Sequence, residues 1–317
     1  MILYCIILTR INYTRRLWAR RSPSVIHIQK RHLKKWHGTA MLLAAALLAC
    51  AVGLAQAASL QQIKQRGSLR IAVANEIPYG YMDLQGKPQG VGPDVAQHIA
   101  RQLGIPKIEW ISTTFSALIP GLRARRFDMV AAEMAILPQR CGHVLFSQPN
   151  SSYGEGLLVA KENPKDIHSF EHFAQSNDKV AIMAGADQLE MMQALGVPQE
   201  RMVTISSNSD AISTVATGRA AAYAATSATI HQLAGKDDRV EAAAEFTDPV
   251  INGEPVRSWG AFTFNMDSKE LQRAVDEELA RFKQTDAWRQ IMARHGFSEA
   301  DADESFNRTR EQLCAAH

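Results

Sequence analysis

Phe115-Ser-Ala-Leu-Ile-Pro-Gly-Leu-Arg-Ala-Arg-Arg-Phe-Asp-Met-Val-Ala-Ala-Glu-Met-Ala-Ile-Leu-Pro-Gln-Arg140 reads, in order, as a loop aromatic, an amphipathic helix, a buried strand and a turn carrying one arginine. Leu118, Ile119, Leu122 and Phe127 fall at near-helical spacing and predict a helix over 116–125. Met129-Val130-Ala131-Ala132 is a short apolar run followed by polar residues and Pro138, which predicts a buried strand over 128–132. Open α/β sheets bind ligands beyond the carboxyl ends of their strands, and Glu133 to Arg140 would stand there.

Outward from this stretch, strand and helix patterns alternate. Before it come a strand at 69–74, a helix at 93–103 and a strand at 108–111. Gly90 supplies the turn into that helix, and Pro93 suits a position near its start, where a missing N–H costs nothing. After it a second block repeats the design: strands at 179–183, 202–205 and 220–224, with helices at 187–195, 209–217 and 228–233. Such alternation implies crossovers and mostly parallel sheets, hence an α/β chain of two lobes. Tyr153–Ala160 and Trp259–Phe264 are Gly-containing and β-rich, and we read them as paired segments crossing between the lobes. From Ser305 onward the chain reads as a polar tail.

The leader distorts the charge balance. Nine of the 35 Lys+Arg fall within residues 1–57 and none of the 32 Asp+Glu does, so the remainder carries 26 basic against 32 acidic residues, a net −6. An acidic chain without basic runs argues against nucleic acid as partner. Met41-Leu-Leu-Ala-Ala-Ala-Leu-Leu-Ala-Cys-Ala-Val-Gly-Leu54 is too short for a spanning helix, follows Lys34 and Lys35, and precedes Ala55-Gln-Ala57, an A-x-A cleavage pattern: residues 1–57 read as an export leader, the first 30 or so as an upstream extension of it. Leu47-Leu-Ala-Cys50 also matches a lipobox, in which Cys50 would carry a lipid anchor, though leucine at its second position fits poorly and the A-x-A site fits well. Of four cysteines, Cys5 and Cys50 belong to the leader, leaving Cys141 and Cys314 as either a disulfide, as an exported pair suggests, or two free thiols. Nucleophile-elbow, P-loop and HExxH patterns are absent, the ten histidines are scattered, and no spacing suggests a zinc site or a cofactor.

The opening stretch resembles the solute-binding proteins of polar amino-acid ABC importers, with their aromatic-Ser-x-Leu-Ile-Pro-x-Leu helix and a strand leading into a Pro-x-Arg turn. Leu69-Arg-Ile-Ala-Val-Ala-Asn-Glu-Ile-Pro-Tyr-Gly-Tyr81 is similar to the family's first strand and ligand loop, and Gly90-Val-Gly-Pro-Asp-Val-Ala96 to its first helix entry. Ala74-Asn-Glu-Ile-Pro-Tyr-Gly-Tyr-Met82, Pro138-Gln-Arg-Cys141 and Phe246-Thr-Asp-Pro-Val-Ile-Asn-Gly-Glu-Pro-Val-Arg257 resemble the ectoine/hydroxyectoine-binding subfamily. The resemblance covers residues 58–317 and implies a type II periplasmic binding fold. Residues 58–152 and 259–317 would then form one lobe and 153–258 the other, joined by a two-segment hinge with the ligand cleft between them. It implies no cofactor and no catalysis, a monomer in the periplasm, a small zwitterionic ligand and an inner-membrane permease as partner. Ectoine or hydroxyectoine is the ligand so implied; a polar amino acid is the alternative, and a prephenate or arogenate dehydratase on the same fold a further one.

The same resemblance assigns site residues. Arg140 stands where the family clamps a ligand carboxylate, for which a guanidinium fork suits two oxygens at once. Glu76 would meet a cationic nitrogen, while Tyr79 and Phe115 would be aromatic walls whose faces attract a delocalised cation. Ala186, within Ala184-Gly-Ala-Asp187 at a helix N-terminus, would add backbone N–H groups to the carboxylate. At Thr226 the family's α-amino-acid binders carry an aspartate for the primary ammonium, and its absence favours an ectoine-type ligand. Ala135 replaces a third aromatic wall and Glu133 replaces a glycine. Glu133 is left open as a second anionic contact, a partner of Arg140, or a carboxylate turned away.

Overall fold

A computed structural model describes residues 59–315; the leader with Cys5, Cys50 and the cleavage pattern lies outside the described residues. Two mixed sheets organise the chain. In the first, the strands run Lys107–Ser112, Ser68–Val73, Met129–Ala135, Ser258–Phe264 and Leu145–Phe146 side by side. Ser68–Val73 pairs parallel with both its neighbours, whereas Ser258–Phe264 runs antiparallel to Met129–Ala135. In the second, the order is Met202–Ile205, Val180–Met183, Ala222–Thr226, Glu155–Ala160 and Val240–Ala242.

The central strands Met129–Ala135, Val180–Met183 and Ala222–Thr226 are buried at every residue, which is why they are largely apolar runs, whereas the edge strand Lys107–Ser112 stays partly exposed. Neighbouring residues still part company. Leu69, Ile71, Met129, Ala131, Phe262 and Phe264 enter one core cluster, while Ala72, Val130, Ala132, Met134 and Ala261 enter the cluster on the opposite face. The second sheet divides likewise, Leu157, Val180 and Ile182 to one side and Leu158, Ala181 and Tyr223 to the other. Lys269–Phe282 and Asp286–Arg294 pack Leu271, Val275, Leu279, Trp288 and Met292 into the first of these clusters.

Four expectations need correction. The strand through Met129 does not stop at Ala132; it continues to Ala135, all seven residues buried, and so contains Glu133 rather than ending before it. The helix after Gly90 begins at Val91, so Pro93 lies two residues inside it but still within the first turn, where no N–H is needed. Its second glycine, Gly92, is required by close approach, since a Cβ there would stand 2.7 Å from the Ala131 carbonyl oxygen. The crossing segments pair only as Ser151–Tyr153 against Ser258–Gly260; from Glu155 onward the first belongs to the second sheet. Finally, the polar tail forms a helix, Arg310–Ala315, which Arg310 ties to Asp276 at 2.7 Å and a Cys141–Cys314 disulfide ties to the turn bearing Arg140.

Candidate functional site

Arg140 sits in a one-turn helix, Pro138–Cys141, whose proline occupies the first turn. The helix follows directly on the Met129–Ala135 strand, and this delivers the guanidinium to the strand's carboxyl end. Arg140 is 7 % exposed. Its Nη1 donates to the Ala135 carbonyl oxygen at 3.1 Å and its Nη2 to that of Gly185 at 3.0 Å, across the two lobes. The Phe115 ring lies 5.8 Å from it, within cation–π reach. Among the described residues no carboxylate pairs with Arg140.

Glu76 lies beyond the carboxyl end of the Ser68–Val73 strand. Its backbone exchanges hydrogen bonds with Gly80, closing a tight loop. Gly80 allows that loop to lie against the neighbouring strand, because a Cβ would meet the Ala131 carbonyl oxygen at 2.3 Å. Burial pushes the Glu76 carboxyl up to about 8, with Asp187 adding to the shift and Arg140 opposing it. Tyr79, in the same loop, is buried edge-on against Tyr153 and Phe297. Its hydroxyl donates to Thr226 Oγ1 at 2.6 Å, joining the first lobe to the second.

Glu133 does not pair with Arg140. Its backbone adopts φ 47°, and the ladder to Ser258–Phe264 slips register across Ala261 and Thr263. The carboxylate accepts from Asn150 Nδ2 at 2.8 Å and Ser151 Oγ at 2.6 Å. Burial raises its pKa, while those two donors and Lys283 oppose the rise. Gly260 is what makes room: a Cβ there would stand 2.9 Å from that of Glu133.

In the second lobe the Gly185 carbonyl oxygen accepts from Arg140, and Ala186 lines the cavity beside it. Asp187 Oδ2 accepts from Ser258 Oγ at 3.0 Å. Gln188 Nε2 donates to Glu155 Oε2 at 2.7 Å. Glu155 stands opposite Thr226 in an antiparallel ladder, so both side chains leave the same face of the sheet. Its Oε1 is buried without a hydrogen-bond partner, and burial beside Asp187 raises its pKa well above the usual carboxylate range.

One small cavity, about 20 Å³, brings together Glu76, Tyr79, Phe115, Glu133, Ala186 and Thr226, with Arg140 joined to its wall through Ala135. Larger hollows of about 440 and 270 Å³ lie elsewhere, beside Lys165 and Arg219 and beside Arg289 and Phe297, and contain none of these residues. Tyr153, Asp187 and Gln188 also line the small cavity, and sequence reasoning assigned none of them. Nor did it find Glu155, although a lone carboxylate flanked by Gly154 and Gly156 at the head of an apolar strand is a visible anomaly.

Among the described residues, contacts across the cleft include, besides Tyr79–Thr226, Arg140–Gly185 and Ser258–Asp187, Thr229 Oγ1 donating to the Ile77 carbonyl oxygen at 2.8 Å and Ile77 N donating to Asn208 Oδ1 at 3.1 Å.

This two-lobed arrangement has well-matched relatives. A probable amino-acid ABC transporter periplasmic-binding protein of Sinorhizobium fredii is 50 % identical over 278 residues, 87 % of this chain and 92 % of that one. The crystal structure of EhuB in complex with hydroxyectoine superposes with a TM-score of 0.74 at 30 % identity, covering 81 % of this chain and 98 % of that one. An ancestral amino acid-binding protein, described as a precursor of cyclohexadienyl dehydratase, gives 0.65 at 27 % identity over 74 % of this chain and 98 % of that one. Residues 69–298 match the family model of the bacterial extracellular solute-binding proteins, family 3. The chain therefore belongs to that family, as a periplasmic, amino-acid-type solute-binding protein of an ABC importer and not an enzyme.

Proposed function

We propose that the cleft captures a small solute carrying one carboxylate and a cationic pole and presents it to a membrane permease. The observation that carries this reading is the buried Arg140, which has both guanidinium bonds on carbonyl oxygens and, among the described residues, no carboxylate partner, and which is bonded to Ala135 in the wall of a cavity that Glu76 and Asp187 also line. A ligand carboxylate would complete Arg140, and a cation would relieve the two acids. Phe115 and Tyr79 supply aromatic lining.

Ectoine and hydroxyectoine combine both groups on one ring. Thr226 in place of an aspartate and the likeness to EhuB support them. A basic amino acid is the second reading, supported by the number of carboxylates around the single arginine and by the small Ala135 where a further aromatic wall would complete a cage.

The test is titration calorimetry of the mature protein with ectoine, hydroxyectoine, arginine, lysine, histidine and glutamine. We expect binding by solutes with both a carboxylate and a cation, and loss of binding when the carboxylate is amidated. Equal affinity for an amidated and a free carboxylate would overturn the proposal.

A further inference from the structure

Resting on the carboxylate-and-cation reading, we propose that Glu155 forms a second cation subsite, so that the cleft favours solutes with two cationic centres over those with one. The charge inventory leads there. Four carboxylates stand in or against the cavity wall: Glu76, Glu133, Asp187 and Glu155. Glu133 is answered by Asn150, Ser151 and the buried Lys283 behind it. Three remain, and the only cation hydrogen-bonded at the wall among the described residues is Arg140, whose partner is the ligand carboxylate.

A single ligand cation at Glu76 and Asp187 leaves Glu155 unanswered. That residue is 3 % exposed, and its Oε1 has no partner, a costly state for a buried acceptor. It leaves the sheet beside Thr226, which lines the cavity, and touches Gln188, which lines it too. The other groups facing it offer no positive charge: Asp248, whose Oδ1 accepts from Glu155 N at 3.0 Å, Asp187, Glu76, and the phenols of Tyr79, Tyr153 and Tyr223. A bound metal is a poor alternative, because among the described residues no group of three or more His, Cys, Asp or Glu is arranged to hold one. An ammonium or guanidinium reaching past Thr226 would give Oε1 its donor.

Calorimetry with L-arginine and L-lysine as two-cation probes, and ectoine and L-glutamine as one-cation probes, tests this. Wild-type protein should bind arginine or lysine at least tenfold tighter than ectoine and glutamine. Glu155→Gln keeps the shape and an acceptor for Gln188 but removes the charge; it should cut that ratio below threefold while leaving the one-cation probes within threefold of wild type. In wild-type protein, titrations at pH 7 in buffers of different ionisation enthalpy should show that arginine or lysine releases more protons than ectoine, a readout that does not depend on the variant folding. A wild-type preference for ectoine, a ratio unchanged by Glu155→Gln, or equal proton release would overturn the second subsite and leave the carboxylate-and-cation reading standing. Failure of all four probes to bind would remove both.

Discussion

Glu76 shows how a single residue can link solute capture to pH. Its carboxyl is held up to about 8 by burial first and by Asp187 second, yet only its ionised form can meet a cation. Below that pH an incoming cation must displace a proton, which costs up to about tenfold in affinity per pH unit. The dissociation constant for a cationic solute should therefore rise at least tenfold between pH 8 and pH 6, and Glu76→Gln should weaken binding at pH 8.5 while reducing that slope; a slope unaltered in the variant would contradict the assignment. For the empty protein the sign is opposite. A carboxyl whose folded pKa is raised gives its full stability below the ordinary carboxylate range and loses it as pH rises through 8, so Glu76→Gln should gain on wild type in thermal unfolding at pH 9 but not at pH 5. The place of Arg140 is legible in the sequence because the family resemblance carries an arginine to the turn that follows this strand. The roles of Asp187 and Glu155 are not, because each depends on which strand lies opposite.

The elements carry the same contrast between local and distant causes. Apolar runs disclose the central strands of both sheets, since burial on both faces leaves no other composition open, whereas short strands such as Leu145–Phe146 and Val240–Ala242 leave no such run. The extension of Met129–Ala135 through Glu133 is hidden, because it needs a glutamate at positive φ, donors from Asn150 and Ser151 where the crossing segment begins, and a glycine facing it. Gly260→Ala should accordingly cost about 1–3 kcal/mol in denaturant unfolding, from overpacking against Glu133 and Ser151; an unchanged midpoint would show that the bulge has room to spare. The terminal helix Arg310–Ala315 is likewise invisible in its own six residues, being held by Asp276 and by a bond to Cys141. That disulfide closes a loop spanning 173 residues of sequence. In the chain-entropy model it contributes about 5 kcal/mol, so replacing both cysteines by alanine should lower the thermal midpoint by several degrees, and non-reducing peptide mapping should recover the two peptides linked. Free thiols in exported protein would refute it.

At the scale of the molecule the two sheets are joined by segments that pair for only three residues, and the closed cleft is fastened by side chains from both lobes. Tyr79 and Arg140 each reach from the first lobe to the second, so the residues expected to hold the ligand also hold the lobes together. Tyr79→Phe removes one fastening worth about 1 kcal/mol and should weaken solute binding roughly three- to tenfold, mainly through faster release in stopped-flow fluorescence; an unchanged release rate would show that closure does not depend on it. Arg140 is expected to matter more, since among the described residues it is the guanidinium bonded at the cavity wall. The decisive measurement is a calorimetric titration of Arg140→Ala and Arg140→Lys with the tightest solute of the panel. The account predicts a loss on the order of 2–5 kcal/mol for alanine, roughly 30-fold or more in affinity, partial recovery with lysine, and unfolding midpoints close to wild type. A folded Arg140→Ala protein that binds the same solute within threefold of wild type would contradict it.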